Sequence, residues 1–120
     1  MPEPFSVEVS RPTPHLVAVT PSGEADLAAV PALLAALTNA ADEGAAHVLV
    51  DLDALTFFDA STLGLLVLAD HRAAGDGSTF LVRCGSRSGR RLFALTGLGR
   101  LLEPTTLPGP GLPPSASRAA

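Results

Sequence analysis

His47-Val48-Leu49-Val50-Asp51-Leu52 and, a few residues on, Thr56-Phe57-Phe58-Asp59-Ala60-Ser61-Thr62-Leu63-Gly64-Leu65-Leu66 decide the architecture of this chain. The first is a continuous apolar run with polar ends, the form a strand takes when both its faces are covered. It belongs mid-sheet. The second opens a helix, predicted over 61–74, with Asp, Ser and Thr at its start as N-caps use them. A doubly covered strand followed by a helix implies parallel strands joined by crossover helices.

Upstream, Phe5, Val7 and Val9 alternate with Ser6, Glu8 and Ser10, a period of two that reads as a half-buried strand. Pro12 and Pro14 break it, and a second strand over 15–20 completes a hairpin. Ser22-Gly23-Glu24-Ala25-Asp26 reads as a polar turn. Leu27, Val30, Leu34, Leu37 and Ala41 then fall three or four apart, predicting a helix over 28–43 that buries this face and ends at Gly44. Pro31 is tolerated in its first turn, where the N–H groups have no intrahelical partner. Downstream, Gly75 is expected to close the second helix in the left-handed conformation and Asp76-Gly77 to turn the chain. A strand over 79–84, a third helix over 88–96 stopped by Gly97-Leu98, and a short strand over 101–103 complete the order. The expected fold class is α/β, a mixed β-sheet with helices packed mainly on one side. From Pro104 onward five of seventeen residues are Pro and two are Gly, so 104–120 is expected to be a disordered tail appended to a domain spanning 1–103.

A length of 120 residues fits one domain, and 47% apolar with 17% charged residues suffices for a core. Net charge is -4 and the basic residues number eight, all of them Arg, so no strong positive field exists to draw in a phosphate backbone. Tyr and Trp are absent, which removes the usual platforms for stacking bases. Nucleic acid is therefore not expected as a partner. Cys84 stands alone, which rules out an internal disulfide and a thiolate zinc site and suits a reducing cytoplasm. No apolar run approaches the ~18–20 residues of a membrane span, and Met1-Pro2-Glu3-Pro4 lacks a secretory pattern, so a cytoplasmic monomer without membrane insertion is expected.

The start of the second helix is where chemistry can sit. Unpaired N–H groups and the positive dipole end make a hydroxyl there a cap, a phosphate acceptor or both. Leu65, Leu66, Ala69 and Ala73 form one apolar stripe on this helix, and Leu63, Val67 and Ala74 a second. One stripe covers the sheet; the other is either further core or a docking surface. A Ser61-based nucleophilic triad fails on spacing, because His71 lies ten residues along the same helix, ~15 Å away at 1.5 Å rise per residue. Asp51 and Asp53 have no His at ligand spacing, so no metal or cofactor is expected. Gly85-Ser86-Arg87-Ser88-Gly89-Arg90-Arg91 could cradle a phosphate, the plainer reading being a capping Ser beside solvated arginines.

Taken in order, Gly23-Glu24-Ala25-Asp26, the strand Val48 to Leu52, Phe58-Asp59-Ala60-Ser61-Thr62-Leu63-Gly64 and Arg90-Arg91-Leu92-Phe93-Ala94-Leu95-Thr96-Gly97-Leu98 resemble the STAS domain, and more narrowly bacterial anti-sigma factor antagonists. The resemblance implies a non-enzymatic regulator whose partner is an anti-sigma factor serine/threonine kinase. Unphosphorylated antagonist binds that partner and frees the sigma factor; phosphorylation switches binding off. It places the phosphoacceptor at Ser61, with Thr62 as the alternative, and the partner-binding surface at Glu24, Asp26, Asp59, Ser61, Thr62, Leu63 and Val67. The pattern departs from the family's at Thr62, commonly Gly, and at Ala60, often Ser. A second implied role is that of a non-phosphorylated STAS scaffold or the soluble subunit of a transport or signalling complex, with Ser61 as a cap only.

Overall fold

A computed structural model describes residues 4–103. The expected tail, 104–120, lies outside them. Strands β1 (Ser6–Thr13) and β2 (Leu16–Ala25) form the antiparallel hairpin, with Val9 opposite Val19 and a register shift between Ser10 and Thr13. Pro12 sits in that shift, where its missing N–H removes nothing from the ladder. β3 (His47–Asp51) runs parallel to β2, and β5 (Thr79–Arg83) parallel to β3, giving the order β1-β2-β3-β5. The continuous apolar run is thus the central strand.

A further strand, β4 (Leu55–Phe58), pairs in parallel with the far end of β2, Glu24 beside Phe57 and Ala25 beside Phe58. By sequence the first partner reads as a turn and the second as a helix lead-in. The correction has a local cause: Pro21 cannot donate to a ladder, and Gly23 adopts φ 84°. Beyond this irregularity β2 leaves β3 and takes up β4 as its neighbour.

Helix α1 (Val30–Asp42) follows a 3-10 turn, Leu27–Ala29, whose cap is the Asp26 side chain accepting from the Ala28 N–H at 3.0 Å. The turn sets the rotation of α1, which buries Leu33, Ala36, Leu37 and Ala40; of the expected stripe Leu37 is buried and Val30 packs against the core, whereas Leu27 and Leu34 are 74% and 44% exposed. The helix is apolar almost all round, so spacing alone could not choose its inner face. α2 (Ala60–Asp76) runs through Gly75 and ends at Gly77, φ 75°, where Ser78 N–H reaches the Ala73 carbonyl at 2.8 Å. The left-handed closure is therefore two residues later than expected. α3 (Arg87–Leu95) ends as predicted, with Gly97 at φ 75° and Leu98 N–H bonded to the Phe93 carbonyl at 2.8 Å. In place of the expected last strand, a 3-10 turn (Gly99–Leu101) leads to a single parallel bridge between Leu102 and Val82.

One core joins these elements. Val17, Val19, Val48, Val50 and Val82 from the sheet meet Leu33 and Leu37 of α1, Leu63 and Leu66 of α2, and Phe93 of α3. Among the described residues the architecture is the expected mixed sheet with helices, made of five strands and three α-helices. Among the described residues no helix is long and apolar enough to cross a membrane.

Candidate functional site

Because β4 runs directly into α2, the β2–β4 pairing fixes where α2 begins. Asp59, extended at φ -131° and ψ -168°, is the N-cap: its Oδ1 accepts the Ser61 N–H at 3.0 Å. The Ser61 hydroxyl donates to the same oxygen at 2.5 Å. The two residues thus form a closed unit, one carboxylate oxygen holding both donors of Ser61.

Thr62 differs sharply. It is 2% exposed, and its hydroxyl donates to the Ala25 carbonyl at 3.4 Å, tying α2 to the end of β2. The Ser61 hydroxyl is part-buried and lies where the helix meets solvent. Leu63, expected to contact a partner, is 3% exposed and belongs to the core. Val67 is partly buried and Ala74 exposed, so the second apolar stripe of α2 is split between core and surface. The physical reason is the pairing of β4 with β2, which rolls the first turn of α2 onto the sheet.

Glu24 and Asp26 reach the same end of the molecule as Asp59 and Ser61, through Glu24 beside Phe57 and Ala25 beside Phe58. Among the described residues none of the three carboxylates Glu24, Asp26 and Asp59 has an ion-pair partner. Two large apolar groups here went unmarked in the sequence. Phe57, beside Glu24 in the strand register, is 49% exposed, and Leu68 is 61% exposed on the face of α2 that also carries Ser61 and Gly64. The spacing 61, 64, 68 was the available signal. Leu68 borders a groove of about 140 Å³ that also involves Leu34, Leu65 and Arg72.

Beside Phe57 a second groove of about 250 Å³ runs between β4 and the start of α3, bounded by Leu55, Phe58, Ser86 and Leu92. In the 85–91 loop Ser86 caps α3 by accepting the Gly89 N–H at 3.1 Å, and Arg90 donates to the Cys84 carbonyl at 3.0 Å. Arg87 and Arg91 are exposed. Ser61 has Asp59 as its hydrogen-bond partner, whereas the His47 imidazole is engaged with the Thr79 hydroxyl at 2.6 Å. Among the described residues no three His, Cys, Asp or Glu side chains are grouped to hold a metal ion.

The hydroxyl of Ser61 holds the Asp59 carboxyl below the usual carboxylate range; partial desolvation opposes this, and the backbone N–H groups of Ser61 and Thr62 reinforce it. A depressed carboxyl contributes stability above its unfolded-state pKa, and that contribution disappears as pH falls through the folded value. Ser61→Ala removes the leading cause. Its Asp59 should titrate at higher pH than in the wild type, and its melting temperature should fall less steeply on acidification. Carbon-detected NMR titration of the Asp59 carboxyl, with thermal melts on the acid side of neutrality, checks both.

The family model described as "Mlab, STAS domain" matches residues 9–103. No curated protein matches the chain significantly. Among solved structures, the anti-sigma factor antagonist SpoIIAA in its unphosphorylated form is similar at 21% identity and a TM-score of 0.71, over 81% of this chain and 85% of that one. SpoIIAA, the Bacillus cell fate determinant, in the phosphorylated form gives 22% identity and 0.66, over 81% and 88%. An anti-sigma factor antagonist from Mycobacterium paratuberculosis gives 22% and 0.71, over 82% and 83%. At these identities the likeness is one of fold.

Proposed function

Since this chain belongs to the STAS domain family, we propose that it is an anti-sigma factor antagonist whose α2 N-terminus docks on an anti-sigma factor serine/threonine kinase and is released by phosphorylation of Ser61. The observation that carries the reading is the placement of Ser61: a part-buried hydroxyl on a helix start, held by Asp59, at the end of the sheet that also carries Glu24 and Asp26. The Thr62 hydroxyl, buried against the Ala25 carbonyl, is closed to a kinase unless the helix start unfolds. That two of the similar structures are of SpoIIAA unphosphorylated and phosphorylated adds support for a phosphorylation switch.

The physics of the switch is local. Phosphate adds about -1.5 to -2 charges, while an exposed helix N-terminus favours an anion by only ~0.3–1 kcal/mol. Asp59 opposes it: a like charge ~4 Å away contributes ~1 kcal/mol of repulsion in water and ~4 at an effective dielectric of 20. Phosphorylation also removes the hydroxyl proton that Asp59 now accepts. The fold tolerates this, because both anions stay hydrated. A partner surface laid over them would have to strip that hydration.

One observation favours a second reading. The 2.5 Å Ser61–Asp59 bond accounts for the hydroxyl as a cap, which suits a constitutive scaffold or the soluble subunit of a larger complex. Incubation with the cognate kinase and ATP, followed by mass spectrometry, separates the two: a phosphopeptide at Ser61 that vanishes in Ser61→Ala is the expected result. Failure to incorporate phosphate would leave the scaffold reading in its place.

A further inference from the structure

Strand β4 has a partner on one side only. It pairs with the end of β2, and among the described residues no strand lies along its other edge. The groove of about 250 Å³ runs there. Side chains of a strand alternate between its two faces, yet all four residues of β4, Leu55 to Phe58, border this groove, so it follows the strand along its edge rather than lying over one face. Its opposite wall is the start of α3, with Ser88, Gly89 and Leu92. The floor is closed: a Cβ on Gly89 would come within 3.0 Å of the Phe58 ring. At ~3.3 Å per residue the β4 edge is ~13 Å long, room for ~4–5 residues of extended chain. An unpaired edge offers such a chain backbone donors and acceptors at regular spacing.

The charge beside this edge selects the kind of chain. Arg11, Arg72, Arg83 and Arg100 are each joined to a carboxylate, and Arg90 donates to the Cys84 carbonyl. Arg87 and Arg91, both exposed, have no ion-pair partner among the described residues. Arg87 stands between Ser86 and Ser88, and Arg91 follows one turn after Ser88, next to Leu92. Two unpartnered guanidinium groups therefore flank an apolar furrow, in a protein whose net charge is -4. The chain's own 104–120 segment holds no Asp or Glu to match them. On the β2 side of the same strand the sign is reversed, with Glu24 beside Phe57.

We propose that the free edge of β4 receives an extended acidic segment of a partner protein as an added strand. Alternation then divides the work: the segment's apolar side chains turn into the groove against Leu55 and Leu92, and the carboxylates between them meet Arg87 and Arg91. Ser61 takes no part, so this surface is a second docking site, separate from the proposed phosphorylation switch.

Amide NMR titration of the full chain with a blocked hexapeptide alternating Asp with Leu tests this. Saturable shifts are expected at Leu55, Phe57, Ser88 and Leu92, with binding that weakens as salt is added. An Arg87→Gln, Arg91→Gln double variant, altered only at exposed positions, should bind the peptide roughly fivefold more weakly. The same peptide N-methylated at alternate residues should not bind, because it can no longer pair with a strand edge. The proposal is overturned if no saturable shift appears, if a hexapeptide alternating Lys with Leu binds equally well, or if N-methylation or the double variant changes nothing. Shifts of residues 86–91 with inorganic phosphate, while the peptide leaves β4 unmoved, would also overturn it and assign the arginines to a free anion. Shifts of β4 on diluting the chain alone would instead assign the edge to a second copy, and overturn it likewise.

Discussion

Ser61→Asp is expected to bind the anti-sigma factor kinase about a hundredfold more weakly than Ser61→Ala, with both variants folded. The difference arises from solvation. An unpaired ion taken into an interface costs several kcal/mol, and each ~1.4 kcal/mol is tenfold in affinity, so a penalty of about 3 kcal/mol gives the stated ratio. The neighbouring carboxylates sharpen it, because Asp59 shares the cap and Glu24 and Asp26 stand on the same end of the molecule. Ser61→Ala deletes a hydroxyl whose partner, Asp59, keeps the backbone N–H of residue 61 and remains hydrated. Its effect on folding should stay near the ~0.5–1.5 kcal/mol of one hydrogen bond. Titration calorimetry of the two variants against the kinase, with circular dichroism as the folding control, reads the ratio. Equal, wild-type-like binding by both would place the switch somewhere other than Ser61.

Phe93→Ala should be the most damaging single truncation in the domain, destabilising it by about 3–5 kcal/mol. Phe93 is fully buried and meets the Phe58 ring edge-on, with centroids 6.1 Å apart and planes at 61°. The surroundings cannot collapse into the space. A Cβ built on Gly89 would come within 2.6 Å of the Cys84 sulfur and 3.0 Å of the Phe58 ring, so the start of α3 is already at closest approach to β4. For a domain of this size, total stability runs to about 5–15 kcal/mol, and each kcal/mol moves the melting temperature by about 4–8 °C. A loss of about 12 °C or more is therefore expected, measured by scanning calorimetry. The damage should extend to the site, because Phe58 immediately precedes Asp59. Hydrogen exchange at the Ser61 amide should speed up in Phe93→Ala more than at Val50, which is held between β2 and β5.

The stretches that announced themselves were those whose own residues carry the instruction. The run through Val48, Leu49 and Val50 reads as a central strand because no polar residue interrupts it, and Gly97-Leu98 reads as a helix stop because the left-handed turn needs that glycine. The cap at Asp59-Ala60-Ser61 is legible for the same reason, since a capping carboxylate acts on a donor two residues away. Other features resisted. β4 is four residues long and exists because Glu24 and Ala25 lie alongside it, partners more than thirty residues distant in sequence. The inner face of α1 depended on a 3-10 turn in front of an alanine-rich helix with several equivalent stripes.

Local physics alone established that this chain alternates strands with helices, that its second helix starts with a carboxylate and two hydroxyls, and that its charge does not suit nucleic acid. Tertiary structure alone decided which of those hydroxyls meets solvent. Thr62 is sealed against Ala25 and Ser61 is not, because the parallel pairing of β2 with β4 brings the Ala25 carbonyl over the first turn of α2, a neighbour that lies outside α2 in sequence.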